Sequence, residues 1–348
     1  MRKTDRMKKT IMKSPRKFAL LSLVIFAFLA VFLAALIYTH SWHGYSGKKE
    51  KVIIGTPLLE SSALIYVADR QGFFPGQRLN VQIKDYDTGA SSLKGLLQGE
   101  VDIATPAEYA LVGRAFQKEK ICALASIDKV QYFFLIARKD RGIEKIDDLK
   151  GKRIGVVTKT TAEFYLGRFL ELHRLKTNQV RLVNIDISQS ADAIMKGDLD
   201  AIVSRPPYVI AIKERLGAKA LTWPVQSSQA LYAVMIGRDK WLKEHAESVK
   251  RLLAALSQAE EYIVHHPAEA KDIVQKRLNV DAAYLETVWS QNQFSLSLDQ
   301  SLILAMEDEA RWMIRNNLIK ERKVPNFLDY ISEEGLKAVK PGAVNIIR

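Results

Sequence analysis

Hydroxyl and glycine residues recur in this chain where a β-favouring run gives way to a helical one. The residues at these points are Ser61, Ser62, Thr88, Gly89, Thr105, Thr160 and Thr161. A loop that leaves a strand and opens a helix presents free backbone N–H groups at the positive end of the helix dipole, which suits a small anionic or polar group. We therefore expect the N–H groups of Ser62, Thr88 and Thr161 to hold an oxyanion.

Three further side chains at strand ends could add charge and aromatic surface to the same site. Arg205 and Tyr208 follow the apolar run 201–203, and Glu108 follows Thr105 at a helix start. A guanidinium can bind a carboxylate or sulfonate through two hydrogen bonds. Glu108 would meet an amine or hydroxyl at the far end of the solute. Arg205 could equally form a structural ion pair, so both interpretations stay open.

Other chemistry finds little support in the sequence. There is no glycine-rich phosphate loop, no His-Glu-x-x-His motif and no pair of cysteines. The single cysteine, Cys122, lies in an apolar run and is expected to be a small buried residue. The acidic run 307–309 is interpreted as a solvated helix face paired with Arg311. We expect no catalytic residues, no metal and no cofactor.

Strands and helices alternate from Lys51 onward, as in an α/β protein. Candidate strands include 52–55, 79–86, 101–104, 121–127, 131–137, 180–187 and 231–236. The stretch 147–163 predicts a turn, a buried strand, a polar loop and a helix over 162–172 capped by Thr160 or Thr161. Beyond residue 240 the chain is mainly helical, over 248–265, 268–278, 282–291 and 301–316.

A short pattern occurs twice. Residues 99–104 and 197–203 both read as glycine, an acid, an aliphatic residue, aspartate and a short apolar strand. Each copy is followed by a polar strand end. This repeat predicts two similar lobes facing one another, with a cleft that can close around a ligand.

The first 50 residues differ from the rest. Residues 1–17 contain eight Lys/Arg and one Asp, so they hold +7 of the formal charge of +13, which argues against a nucleic-acid-binding surface. Residues 18–38 contain no charge over 21 residues, enough for a membrane-spanning helix of about 20 residues. We predict a cytoplasmic tail (1–17), an uncleaved signal anchor (18–38) and a linker (39–50). A cleaved signal peptide is the alternative.

From Lys51 to Arg348 the chain resembles periplasmic substrate-binding proteins of the nitrate/sulfonate/taurine type, which serve ABC importers. The resemblance is carried by residues 68–74, 86–89, 99–104, 147–156 and 197–201. It implies an α/β, two-lobed periplasmic-binding-protein fold (type II), with a mixed sheet and flanking helices in each lobe. Residues 51–137 and 228–348 would form lobe 1 and 138–227 lobe 2, with hinge crossings near 136–139 and 225–229. It also implies a monomer that binds a small, anionic organic solute between the lobes and delivers it to a membrane permease.

Two positions depart from that family. Relatives often have Gly-Thr where this chain has Lys159-Thr160, and Trp-Glu-Pro-Tyr where it has residues 205–208. Lys159 would project a charge at the cleft or point to solvent. The loss of the acid at Pro206 removes a partner for an amine, and Arg205 adds a partner for a carboxylate or sulfonate. Two other roles remain open. One is an enzyme of thiamine-precursor synthesis, although those relatives carry a cysteine-rich motif, and the other is a ligand-sensing module.

Overall fold

The computed structural model describes residues 49–348. The predicted tail and anchor, and all but the last two residues of the predicted linker, lie outside this range, so their predictions stay untested. Between residues 49 and 348, no helix is both long and apolar enough to cross a membrane.

Strands and helices alternate through this range, as predicted. The strands are β1 (Glu50–Pro57), β2 (Leu79–Tyr86), β3 (Ile103–Ala104), β4 (Ile121–Val130), β5 (Phe134–Arg138), β6 (Arg153–Val156), β7 (Arg181–Asn184), β8 (Ala201–Ser204), β9 (Ala220–Pro224), β10 (Leu231–Arg238) and β11 (Asn292–Gln293).

The helices are α1 (Ala63–Arg70), α2 (Phe73–Gly76), α3 (Gly89–Gln98), α4 (Glu108–Phe116), α5 (Thr161–Leu172), α6 (Ser190–Lys196), α7 (Tyr208–Leu216), α8 (Asp239–Glu244), α9 (Ala246–His265), α10 (Pro267–Leu278), α11 (Ala282–Trp289), α12 (Gln300–Arg315) and α13 (Glu334–Val339). The four long C-terminal helices lie within two residues of their predicted bounds because their apolar spacing is regular.

Two mixed sheets organise the chain. The first has the order β11-β4-β10-β3-β1-β2 and the second the order β7-β6-β8-β5-β9. In the first sheet β10 is antiparallel to both β3 and β4, and in the second β5 is antiparallel to β8 and β9. The predicted fold of two lobes, each with a mixed sheet and helices, is therefore confirmed.

The repeated pattern forms the same local structure in both lobes. The Asp102 carboxylate accepts a hydrogen bond from the Ile53 N–H of β1 at 2.8 Å, and Asp200 accepts one from the Arg153 N–H of β6 at 2.9 Å. The glycine that opens each copy ends a helix in the left-handed region, with φ of 78° and 83°, where a side chain would be strained. Each aspartate thus bonds the loop before one strand, β3 or β8, to the neighbouring strand, β1 or β6.

One predicted crossing between the lobes is misplaced. The run 131–137 was expected to be a strand of the first lobe, with the crossing at 136–139. Instead, Phe134–Arg138 pairs with β8 and β9 in the second sheet, so the chain crosses at 131–133. A run of apolar residues does not reveal which sheet it joins. The return crossing occupies 225–230, and Leu231 enters the first sheet as predicted.

The side chain of Gln226 ties these two crossings together. It accepts hydrogen bonds from the Tyr132 and Phe133 N–H groups at 2.7 and 2.9 Å, and it donates to the Val130 and Gln229 carbonyls at 3.0 and 3.1 Å. Gln226 is 2% exposed. Its amide therefore satisfies buried backbone groups of both segments and fixes their spacing.

Candidate functional site

The functional-site candidates lie where several strands of each sheet have their carboxyl ends. Strands β1, β3 and β4 end at one edge of the first sheet, where β10 begins. Strands β6 and β8 end at one edge of the second sheet, where β5 begins. The crossings 131–133 and 225–230 connect these two edges. We call this region, with its loops and crossings, the lobe junction. Ligands of open α/β sheets bind at such edges.

Three hydroxyl groups of the first lobe bond to one another. Thr56 lies between Ser62, at 2.6 Å, and Thr105, at 2.5 Å, and the Ser62 hydroxyl also donates to the Pro57 carbonyl at 3.1 Å. All three residues are at most 3% exposed. The Ser62 N–H is bonded to the Leu59 carbonyl at 3.1 Å, so it is not the free donor that the sequence predicted. These hydroxyls shape the loop, and Ser61 beside them is half-buried.

The Thr88–Gly89 turn also differs from its prediction. The Thr88 hydroxyl caps α3 by accepting from the Ser91 N–H at 3.0 Å, while the Ser91 hydroxyl occupies the Thr88 N–H at 3.1 Å. Thr88 therefore has no free backbone donor. A Cβ at Gly89 would lie 2.7 Å from the Pro106 Cα, so glycine is required for the close approach of these two loops.

Thr160 caps α5, as predicted. Its hydroxyl accepts from the Ala162 N–H at 3.2 Å and donates to the Val157 carbonyl at 2.7 Å. Within residues 49–348 no hydrogen bond engages the N–H of Thr161, which leaves it as the remaining predicted oxyanion donor of the three. Lys159 is exposed and has a φ of 60°. Glycine adopts this left-handed conformation without strain, whereas lysine does not.

Arg205 lies at the lobe junction beside the first crossing. Its guanidinium carbon is 5.9 Å from the centre of the Tyr132 ring, and its Nη1 donates to the Pro206 carbonyl at 3.0 Å. Arg205 is half-buried, and no carboxylate of the described chain lies within 4.0 Å of it. The alternative interpretation of Arg205, as one member of a structural ion pair, therefore finds no partner carboxylate within the described chain. Tyr208 is half-buried at the start of α7.

Glu108 is fully buried at the start of α4. Its Oε2 accepts from the Tyr232 N–H at 3.0 Å, while Oε1 has no hydrogen-bond partner within the described chain. Burial raises the pKa of Glu108 to about 8, and hydrogen bonds from backbone N–H groups act in the opposite direction. Glu108 is thus held in position with one acceptor atom unused.

The interpretation of the acidic run as a solvated face is wrong for one of its three residues. Glu307 pairs with Arg311 at 2.6 Å, as expected, and Asp308 pairs with Arg168 of α5 at 2.9 Å. Glu309, however, is fully buried and makes no hydrogen bond within residues 49–348. The sequence does contain a feature that predicts this burial, because Glu309 follows Leu302 and Met306 at the helical spacing of the apolar face.

Other junction residues were missed altogether. Asp128 is fully buried near the end of β4, and neither of its carboxylate oxygens has a hydrogen-bond partner in the described chain. Glu60 accepts a hydrogen bond of 2.5 Å from the Tyr284 hydroxyl. An acid that directly follows the mainly apolar run 121–127 could have identified Asp128, whereas nothing local links Glu60 to Tyr284.

The helix α5 of the second lobe packs on α12 of the first. The rings of Phe164 and Trp312 lie edge to face with centres 5.7 Å apart. A Cβ at Gly167 would come within 2.6 Å of the Trp312 Nε1. The Arg168–Asp308 ion pair lies beside them. The α5–α12 contact therefore joins the lobes through close packing that requires a glycine.

A surface pocket of about 850 Å³ lies elsewhere, at the edge of the first sheet where β4 begins and β10 ends. Its lining includes Lys118, Lys120 and Cys122 but none of the predicted site residues. Cys122 is 7% exposed and burial raises its pKa to about 11, in agreement with the predicted small buried residue. Among the described residues no group of His, Cys, Asp and Glu could hold a metal ion.

Comparison with known families shows which protein family the chain belongs to. Residues 60–270 match the family described as NMT1/THI5 like. The chain belongs to this family. It is 28% identical over 255 residues to a putative binding protein of Brucella abortus, covering 71% of this chain and 76% of that protein. It is 21% identical over 302 residues to a putative aliphatic sulfonates-binding protein of Bacillus subtilis, covering 84% and 91%.

Solved structures share the fold. The periplasmic aliphatic sulphonate binding protein SsuA of Escherichia coli superposes with a TM-score of 0.70 at 13% identity, over 81% of this chain and 92% of that one. The desulfurization enzyme DszB also shares the fold, with a TM-score of 0.63 at 16% identity, over 84% of this chain and 99% of that one. The family and these relatives together confirm the predicted resemblance to substrate-binding proteins.

Proposed function

We propose that this protein is the extracytoplasmic solute-binding component of an ABC importer. It captures a small organic solute with an anionic group, such as a sulfonate, at the lobe junction and delivers it to a membrane permease. The anionic group of the solute is proposed because the half-buried Arg205 guanidinium has no carboxylate partner among residues 49–348. The sulfonate-binding relative and the shared fold support the solute class.

The site residues divide by the contacts they already make. Ser61, Glu108, Thr161, Arg205 and Tyr208 are proposed to contact the solute. The predicted residues Ser62, Thr88, Gly89, Thr105 and Thr160 are proposed to shape the loops around it, since their hydroxyls or close backbone contacts are already used.

Replacing Arg205 tests the anionic part of the proposal. Arg205→Ala is expected to weaken binding of alkanesulfonates about 10- to 150-fold, because a hydrogen bond to a charged group contributes about 1.5–3 kcal/mol. Calorimetric titration with ethanesulfonate and taurine measures the change. Arg181→Ala, at an exposed arginine of the same lobe, is the control. Equal affinity of the Arg205→Ala and Arg181→Ala variants would remove Arg205 from the site.

We further propose binding without turnover. Among the described residues of the junction, the hydroxyls of Thr56, Ser62 and Thr105 bond to one another and not to a base. The thiol of Cys122 lies at the opposite edge of the sheet. Mass spectrometry after prolonged incubation with an identified ligand is expected to recover it unchanged. Many equivalents of a converted product per protein would instead indicate an enzyme, as the fold of DszB allows.

The membrane anchor remains part of the proposal. The uncharged run of 21 residues preceded by a +7 tail would hold the binding domain at the outer face of the cytoplasmic membrane. Fractionation with N-terminal sequencing is expected to find the full-length chain in the membrane. A soluble form beginning near His40 would show that the segment is a cleaved signal peptide.

A further inference from the structure

A group of polar atoms without partners lies between the two lobes, away from Arg205 in sequence. It comprises Glu108 on α4, Glu309 on α12 and Tyr165 on α5, and each residue is 0% exposed. Glu108 Oε1, both Glu309 carboxylate oxygens and the Tyr165 hydroxyl have no hydrogen-bond partner within residues 49–348. The helices α4 and α12 pack against one another, and α5 brings Tyr165 from the second lobe.

The charges of the two glutamates affect the pKa of the neighbouring groups. Burial raises the pKa of Tyr165, and the nearby Glu108 and Glu309 charges raise it further. Burial also raises the pKa of Glu309, with Glu108 as the next cause. Ring contacts place Tyr165 beside the two helices of the other lobe, because the neighbouring Phe164 ring lies 5.2 Å from Tyr165, 6.4 Å from Tyr109 on α4 and 5.7 Å from Trp312 on α12.

Within residues 49–348, no cationic side chain forms an ion pair with either of these acids. Among the described residues, no Lys, Arg or His lies within 4.0 Å of the Glu108 or Glu309 carboxylate, and the nearby Arg168 is engaged by Asp308 at 2.9 Å. An uncompensated buried carboxylate is unfavourable, and buried acceptors normally have a donor. The backbone bond from Tyr232 to Glu108 supplies one donor at 3.0 Å, which leaves three carboxylate oxygens unmatched.

The surroundings suit an organic cation. The rings of Tyr109 and Phe164 lie 6.4 Å apart, and those of Phe164 and Tyr165 5.2 Å apart. Aromatic faces attract ammonium and guanidinium-like groups, most strongly in a desolvated site. Because α5 belongs to one lobe and α4 and α12 to the other, separation of the lobes would open the group to solvent and closure would bury it.

We propose that Glu108, Glu309 and Tyr165 form a subsite for a protonated amine or an amidinium of the solute. This assignment rests on the proposed function and narrows it, since the solute then carries a cationic donor group in addition to the anion bound by Arg205. One carboxylate pairs with the cation, and the other stays protonated and donates or accepts a hydrogen bond. The tyrosine hydroxyl completes the set of polar groups around the cation.

Matched ligand pairs test this subsite. Taurine with ethanesulfonate, 3-aminopropanesulfonate with propanesulfonate, and β-alanine with propionate each differ by one amine. At neutral pH the amine member of at least one pair is expected to bind about tenfold more tightly or better, since its donors satisfy buried charged acceptors. Calorimetry on the parent, Glu108→Gln, Glu309→Gln and Tyr165→Phe proteins measures this advantage.

Glu309→Gln and Glu108→Gln are each expected to abolish the advantage of the amine member over its amine-free partner. Circular dichroism checks that each variant is folded, and Tyr165→Phe gives a milder third variant. If both members of every pair bind equally and the binding depends on Arg205, the subsite is refuted and the proposed function stands. An amine advantage that persists in both glutamine variants also refutes it. If no member of any pair binds, both proposals fail.

Discussion

Gly167→Ala is expected to destabilise this protein, although alanine normally favours a helix. Gly167 lies within α5, and an added Cβ would approach the Trp312 indole to 2.6–2.8 Å. Trp312 is 1% exposed, so its ring cannot move aside without disturbing the core. Overpacking of this kind costs about 1–3 kcal/mol, which exceeds the helix-propensity gain of up to about 1 kcal/mol.

The chain offers a matched control in Gly113, also within a helix. A Cβ at Gly113 would meet no atom within 4 Å, so Gly113→Ala is expected to raise the free energy of unfolding by about 0.5–1 kcal/mol. Chemical denaturation of both variants measures the difference. A Gly167→Val protein should lose more than Gly167→Ala. Equal stabilisation by both alanine substitutions would contradict the close packing of α5 on α12.

The same contact links stability to ligand binding. Because α5 and α12 belong to different lobes, a residue that separates them also holds the lobes apart. Gly167→Ala should therefore weaken solute binding as well as stability. Trp312→Phe removes the indole atoms nearest to residue 167, so the double variant should lose less than the sum of the two single losses. A double-mutant cycle measures this coupling.

Asp128→Asn is expected to stabilise the protein at alkaline pH. Asp128 is 0% exposed, and burial raises its pKa to about 8 from an ordinary value of 3.8. The folded state therefore holds this proton more tightly than the unfolded state. Its contribution to stability is complete below about pH 4 and is lost as the pH rises to about 8. Glu108, with a pKa of about 8, acts in the same direction.

Asparagine keeps the shape of Asp128 and removes its charge. A shift of one pKa unit corresponds to about 1.4 kcal/mol, so the gain above pH 8 should be on the order of several kcal/mol and should disappear near pH 4. Denaturation of both proteins between pH 4 and 9 provides the measurement. Asp198→Asn, at an exposed position of the other lobe, is the control for the substitution itself. A gain that is independent of pH would mean that Asp128 does not titrate as proposed.

Local sequence determined most of the elements of this fold. The Thr160 hydroxyl caps α5, and the repeated glycine-to-aspartate pattern builds the same strand-to-loop connection in both lobes. Such features depend on residues a few positions apart, whose side chains bond to the nearby backbone whatever the rest of the chain does. The resemblance to a binding-protein family came from these same short stretches.

Pairing between distant segments was decided by the tertiary structure. The strand Phe134–Arg138 looked like a continuation of the first lobe, yet it joins the second sheet. Ser62 and Thr105 looked like ligand donors, yet they bond to each other through Thr56. In each case the partner is far along the chain, so no local spacing can show that a donor is already engaged.

The charge of the lobe junction depends most on tertiary structure. The sequence pattern indicated Arg205 and Glu108 as site residues. It predicted a solvated position for Glu309, and Asp128 was not among the predicted residues. Both are fully buried, because α12 packs on α4 and the short turn 60–62 packs on β4, the strand that contains Asp128. Composition fixes how many acids a chain contains, whereas burial, which only the packing of distant elements produces, decides which of them require a ligand or a proton.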